Sequence, residues 1–148
     1  MQHRILQLIT GFIFLSLFSS FRPVAEEGIK INVTNLRSNT GNVLVSLFKD
    51  GVGYPDDATK AFRKTKLSIT DKKASILFSN LPSGVYTVSI LHDENDDQKM
   101  NKNGLGIPKE GYGFSNNVMG AFGPPSLSKT SFKHTATSLT QKDIRVRY

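Results

Sequence analysis

Apolar residues recur at every second position through most of this chain. Ile29, Ile31 and Val33 form one series, Val43, Val45 and Leu47 a second, and Tyr86, Val88 and Ile90 another. A two-residue period puts one set of side chains on one face of an extended strand; a helix would need a period of 3.6. Leu67 with Ile69 predicts a third strand, and Ala74, Ile76 and Phe78 a fourth. Val85 to Leu91 is the fifth and most apolar. Phe132 to Ala136 is a sixth, and Ile144, Val146 and Tyr148 form the last, with Arg145 and Arg147 on its outer face.

Turn signals separate these runs. Asp71-Lys72-Lys73 is a polar hairpin turn between the third and fourth strands. In Leu81-Pro82-Ser83-Gly84, Pro82 presets φ at the second position of a type I turn and Gly84 suits the fourth. Asp57 to Arg63 has Ala58, Ala61 and Phe62 at helical spacing and predicts one short helix. Short strands with almost no helix predict an all-β, antiparallel β-sandwich of about seven strands, immunoglobulin-like or transthyretin-like. A membrane barrel needs strands of about 9–11 residues with lipid-facing apolar bands, and Lys or Asp interrupts the runs here.

One long loop precedes the last two strands. His92 to Pro125 has no strand or helix period. Loops beyond about 12–15 residues are uncommon in compact domains and are usually functional or disordered. This one carries Leu105, Ile107, Tyr112, Phe114, Val118, Met119 and Phe122 as apolar anchors. It is therefore expected to be ordered on the sandwich and to carry its specific function.

The N-terminus has the three parts of an export signal. Met1 to Arg4 is basic, Ile5 to Phe18 is mostly apolar, and Ser19 to Ala25 holds candidate cleavage sites after Ser19, Ser20 or Ala25. The apolar stretch is shorter than the roughly 20 residues of a membrane span. Residues 1–25 are thus expected to be a signal peptide and 26–148 a single extracytoplasmic domain, periplasmic or secreted, with no membrane span after cleavage. There is no Cys, which excludes a disulfide framework and a thiolate metal site. The net charge is +7, and removing Arg4 and Arg22 leaves +5. The lysines are scattered and alternate with no aromatics, so nucleic acid is not an expected partner.

Several stretches together resemble one family of exported bacterial proteins, domain of unknown function 2141. They are GNVLVSLF at Gly41–Phe48, GYP at Gly53–Pro55, LPSGVYTVSILHDEND at Leu81–Asp96, GIPKEGYGFSNN at Gly106–Asn117, FGPPS at Phe122–Ser126, and the closing IRVRY. The resemblance spans about Ile29 to Tyr148. It implies an extracytoplasmic β-sandwich and no particular activity. Asp97-Gln98 stands where family members tend to carry Asn-Gly.

The loop holds several candidate site residues. Asp93, Asn95 and Asp97 alternate as in the opening of an oxygen-ligand calcium loop. Gln98 replaces the turn glycine of that pattern, and Gly104 the closing Glu. The alternative is a solvated acidic turn whose side chains cap backbone groups. His92 has the chemistry of a base or ligand, or of a structural donor to a carbonyl. Glu110, Tyr112, Ser115, Asn116 and Asn117 complete a candidate ligand surface for a glycan, peptide or envelope component. His92, Glu110 and Ser115 also supply the residue types of a hydrolytic site, but no G-x-S-x-G elbow surrounds Ser115. Gly104, Gly106, Gly111 and Gly113 lack the strand–turn–helix context of a phosphate loop and are expected to permit positive φ. Lys30 and Asp143 are positional candidates for an intramolecular isopeptide bond. The expected function is a non-catalytic exported module using the loop for binding, with calcium as a candidate stabiliser. A hydrolase of envelope polymer and a structural or adhesion module are the alternatives.

Overall fold

The computed structural model describes residues 26–55, 57–121 and 123–148. The expected signal peptide and the Phe122 anchor lie outside them. Among the described residues eight strands form two sheets: β1 Gly28–Thr34, β2 Asn42–Lys49, β3 Arg63–Leu67, β4 Ala74–Phe78, β5 Gly84–Asp93, β6 Gly111–Phe114, β7 Phe132–His134 and β8 Leu139–Arg145. One sheet has the order β4-β1-β8. The other runs β3-β2-β5-β6, with β7 also pairing β5.

The alternating residues meet between the sheets. Ile29, Ile31 and Val33 from β1, Val43, Val45 and Leu47 from β2, Tyr86, Val88 and Ile90 from β5, and Ile144 and Val146 at the chain's end are all buried in one cluster. Burying each such aliphatic side chain stabilises the fold by roughly 1.5–3 kcal/mol. Leu81 and Ala74 close the cluster where the chain turns. Tyr86 is fully buried, and its hydroxyl donates to the Pro82 carbonyl at 2.7 Å, fastening the LPSG turn onto the strand it begins.

The sandwich departs from the sequence expectation in four places. First, β8 lies parallel to β1, whereas the other pairings among the described residues are antiparallel. That register sets Asn32, not Lys30, opposite Asp143, and Asn32 Nδ2 donates to Asp143 Oδ1 at 2.7 Å. The isopeptide pairing of Lys30 with Asp143 therefore has no geometric basis. Second, β3 and β4 belong to different sheets. The turn between them is as tight as predicted: Asp71 and Lys72 have φ of 50° and 56°, and Thr70 and Lys73 exchange bonds of 3.0 and 2.9 Å. Positive φ at both central residues is the geometry of a two-residue hairpin turn.

Third, the expected helix at Asp57–Arg63 shrinks to a 3₁₀ turn at Ala58–Lys60, capped by the Asp57 carboxylate, which accepts from the Thr59 N–H at 3.1 Å. Fourth, part of the long loop is a strand. β6 pairs β5 with Tyr112 opposite Leu91 and Phe114 opposite Ser89. Gly111 and Gly113 are extended here, and they are glycine for want of space. A Cβ on Gly111 would lie 2.4 Å from Val146 Cγ1, and one on Gly113 would lie 2.9 Å from Ile144 Cγ2. Of the four loop glycines only Gly106, at φ 79°, uses the left-handed region.

Candidate functional site

Core-facing residues occupy alternate positions on β2 and β5, so the intervening ones form the outer face of the five-stranded sheet. At one end that face is covered. Phe48 is fully buried beneath Tyr54, whose ring packs edge-on at 5.6 Å and meets Phe114 at 6.1 Å. The Tyr54 hydroxyl donates to the Pro125 carbonyl at 2.8 Å, tying the end of the long loop over this cluster.

The other end is open. The register aligns Leu44, Leu91 and Tyr112 in one cross-strand row and Ser46, Ser89 and Phe114 in the next. These rows floor a groove of about 900 Å³. Met100, Leu105, Ile107 and Pro108 wall one part of it, Pro55 and Ala58 another, and Gly120, Ala121 and Gly123 a third. Among the described residues Lys102 contributes the one charged side chain of the lining, and no carboxylate faces it. The groove thus offers apolar surface, one aromatic ring with a hydroxyl, two serines, the Gln98 amide and a cation. Sites for small ligands have this make-up, mostly apolar with a few polar groups, and volumes of roughly 300–1,000 Å³.

Most of the candidate residues read from the sequence fold the loop and do not line this groove. Asp93 is fully buried, and its two carboxylate oxygens accept from the Asp97 and Gln98 N–H groups at 3.2 and 2.8 Å. Asn95 Nδ2 donates to Asp97 Oδ2 at 3.0 Å. Asp97 also accepts from the Lys99 N–H at 2.9 Å and from Asn101 Nδ2 at 2.9 Å. The Asn101 bond, first, and then that from Asn95 hold the Asp97 carboxyl below its usual range. Among the described residues no group of three or more His, Cys, Asp or Glu side chains is placed to hold a metal ion. The alternating acidic run caps backbone amides, the second of the two uses its sequence allows.

Glu110 works in the same way from the far side. One carboxylate oxygen accepts from the Glu94 N–H at 2.9 Å and the other from the Asn101 N–H at 3.0 Å, with the residue 4% exposed. Glu94 in turn receives Nε of Arg37 at 3.0 Å and pairs with its Nη2. That bond holds the Glu94 carboxyl low against the desolvation that would raise it.

His92 is buried between Tyr148 and Thr40, with both ring nitrogens bonded. The Ser115 hydroxyl donates to the Thr130 carbonyl at 2.6 Å and accepts from the Val88 N–H at 3.0 Å. Val88 and His92 are four residues apart on β5, about 13 Å along the strand. Ser115 therefore has no base within reach in His92, and the hydrolytic grouping does not assemble. Asn116 and Asn117 take φ of 63° and 54°. Asn116 Nδ2 donates to the Lys129 and Ser131 carbonyls, and Asn117 brackets β8 by donating to Asp143 O and accepting from the Arg145 N–H.

Of the nine candidates only Tyr112 lines the groove. Among the lining residues that sequence reasoning passed over are Leu44, Ser46, Ser89 and Leu91. Their signal was present: once Val43, Val45 and Ile90 are assigned to the core, an apolar Leu44 or Leu91 on the opposite face has no core to enter. Leu105 and Ile107 were expected to anchor the loop, yet they are 86% and 55% exposed.

A profile of one family matches residues 31–142, its description reading uncharacterized protein conserved in bacteria (DUF2141). The chain belongs to this family. No curated protein and no solved structure matches it.

Proposed function

We propose that this family member is an exported, non-catalytic β-sandwich module whose outer-face groove takes the apolar part of a small ligand. The observation that carries the reading is the open half of the sheet's outer face. Leu44, Leu91 and Tyr112 lie side by side on rigid strands and are walled by Met100 and Ile107. Contiguous apolar surface left open on a fold marks an interaction site or a ligand-binding groove. Export rests on the basic, apolar and small-residue segments of residues 1–25. The non-catalytic assignment rests on His92, Glu110 and Ser115, each of which spends its polar atoms on partners within the fold.

The test is binding of a neutral apolar dye, N-phenyl-1-naphthylamine. Its emission should rise on addition of the folded protein. Ser89→Phe places a ring in the middle of the floor, on a strand face where aromatic residues are tolerated. That variant should keep the unfolding midpoint and lose the rise. A rise of equal size in Ser89→Phe, or none in the parent protein, contradicts the groove.

A further inference from the structure

The groove does not account for the tip of the hairpin beside it. Residues 99–110 form a tight excursion: the Lys109 N–H donates to Asn101 O at 2.8 Å and the Asn103 N–H to Ile107 O at 2.9 Å. The Asn103 side chain accepts from the Leu105 and Ile107 N–H groups at 2.9 and 3.0 Å, bracing the turn from within. Glu110 fixes the base through Asn101. On this braced tip Leu105 is 86% and Ile107 55% exposed, so the groove wall uses little of their surface. A Leu held this far out on an ordered turn contributes nothing to the core.

The exposed charged side chains on this excursion are of one sign. Lys99, Lys102 and Lys109 are all exposed, and none is in an ion pair among the described residues. The acidic residues lie at the base, not on the tip: Glu94 pairs with Arg37 and Asp96 with Lys66, Asp97 accepts from Asn95, Asn101 and the Lys99 N–H, and Glu110 is buried against backbone amides. Two exposed aliphatic side chains and three ammonium groups outside ion pairs on one short excursion are complementary to one kind of surface, with an apolar interior beneath an anionic face. We infer that this tip docks on an anionic lipid bilayer, with Leu105 and Ile107 entering the headgroup boundary and the lysines meeting the lipid charges. Such contact is reversible, since a pair of aliphatic side chains and a few cations fall well short of a permanent anchor.

The sheets and the core lie within residues 26–148, so this unit is tested without the apolar N-terminal segment. It is sedimented with vesicles of equimolar phosphatidylcholine and phosphatidylglycerol, and with phosphatidylcholine alone. The expected result is binding to the anionic vesicles only, weakened by salt. Changing Lys99, Lys102 and Lys109 to Gln should weaken it on the order of a hundredfold. Leu105→Ser with Ile107→Ser should weaken it about tenfold or more, and both residues are too exposed for these changes to unfold the protein. The control changes Lys72, Lys129 and Lys133 to Gln, an equal loss of charge elsewhere. Equal loss in the control means that net charge, not the tip, binds, and overturns the inference. Unchanged binding by the Leu105/Ile107 variant, or no vesicle binding at all, overturns it too and leaves the tip to a protein partner. Dye binding retained in the Lys99→Gln, Lys109→Gln variant, which leaves the groove-lining Lys102 in place, shows that the groove is intact whichever way the vesicle result falls.

Discussion

The Tyr148 hydroxyl stands 2.6 Å from Nδ1 of His92, and the proton order between them follows from their neighbours. The other ring nitrogen, Nε2, is 2.9 Å from the Thr40 carbonyl, which only accepts. In the neutral imidazole the proton therefore sits on Nε2, and Nδ1 accepts from Tyr148. The same hydroxyl accepts from the Arg37 N–H at 2.9 Å. A directed run of bonds from Arg37 through Tyr148 and His92 to Thr40 joins the first long connection, β5 and the C-terminal segment. Burial also raises the Tyr148 hydroxyl pKa above its ordinary value, which keeps the hydroxyl protonated as this order requires.

Tyr148→Phe removes the link while keeping the ring that lies over the Arg37 guanidinium. It leaves the buried His92 Nδ1 without a donor, at a cost of about 1–3 kcal/mol. Urea unfolding should show a lower midpoint with an unchanged slope. An unchanged midpoint would mean that water replaces the hydroxyl without loss.

Glu110→Gln keeps one acceptor but turns an amide NH₂ toward a backbone N–H. The Glu94 and Asn101 amides cannot both be satisfied, at a cost of about 1–3 kcal/mol. The loss should be local. Amide exchange should speed up across residues 99–109 and stay unchanged in β2 and β5. Uniform acceleration would make Glu110 a determinant of global stability instead.

The Arg37–Glu94 pair sets an acid limb. The Arg37 bond is the largest cause that lowers the Glu94 carboxyl from its ordinary 4.5. A carboxyl with a lowered folded-state pKa takes up its proton more readily when unfolded. Its stabilisation is therefore complete above about pH 4.5 and is lost as pH falls through the lower folded value. The stability gap between the parent protein and Arg37→Gln should be constant above that pH and narrow below it. A gap that widens in acid would contradict the pairing.

Calcium should leave the thermal midpoint unmoved. The Asp93 oxygens already hold two amides, and Asp97 is bonded by Asn95, Asn101 and the Lys99 N–H. A ligand of the folded state alone would raise stability by roughly 2.7 kcal/mol at a hundredfold excess over its dissociation constant. Unfolding in excess EDTA and then in millimolar calcium separates the cases. A calcium-dependent rise lost in Asp93→Ala would return Asp93, Asn95 and Asp97 to a metal site.

The strands were legible because one rule governs them. Burial on one face imposes a two-residue period, and Ile29–Val33, Val43–Leu47 and Tyr86–Ile90 obey it without interruption. The tight turn at Asp71–Lys72 was legible for a similarly local reason. The parallel β1–β8 pairing was not, because a strand's own pattern is the same whichever neighbour it takes. β6 was hidden by Gly111 and Gly113, whose small size answers to Val146, Tyr148 and Ile144, more than 30 residues away in sequence. The candidate polar residues were found, but what they bind within the loop was not legible. A carboxylate that binds backbone amides and one that binds a ligand look alike until the loop is folded. The groove needed the register of three strands before Leu44, Leu91 and Tyr112 could be seen as neighbours.

The most direct measurement is an amide chemical-shift map of isotope-labelled residues 26–148 titrated with decanol, an uncharged ligand with one apolar chain. The account predicts saturable shifts clustered at Leu44, Ser46, Ser89, Leu91 and Tyr112, with β1, β4 and β8 unmoved. Shifts that are absent, that never saturate, or that gather on the three-stranded sheet would contradict it.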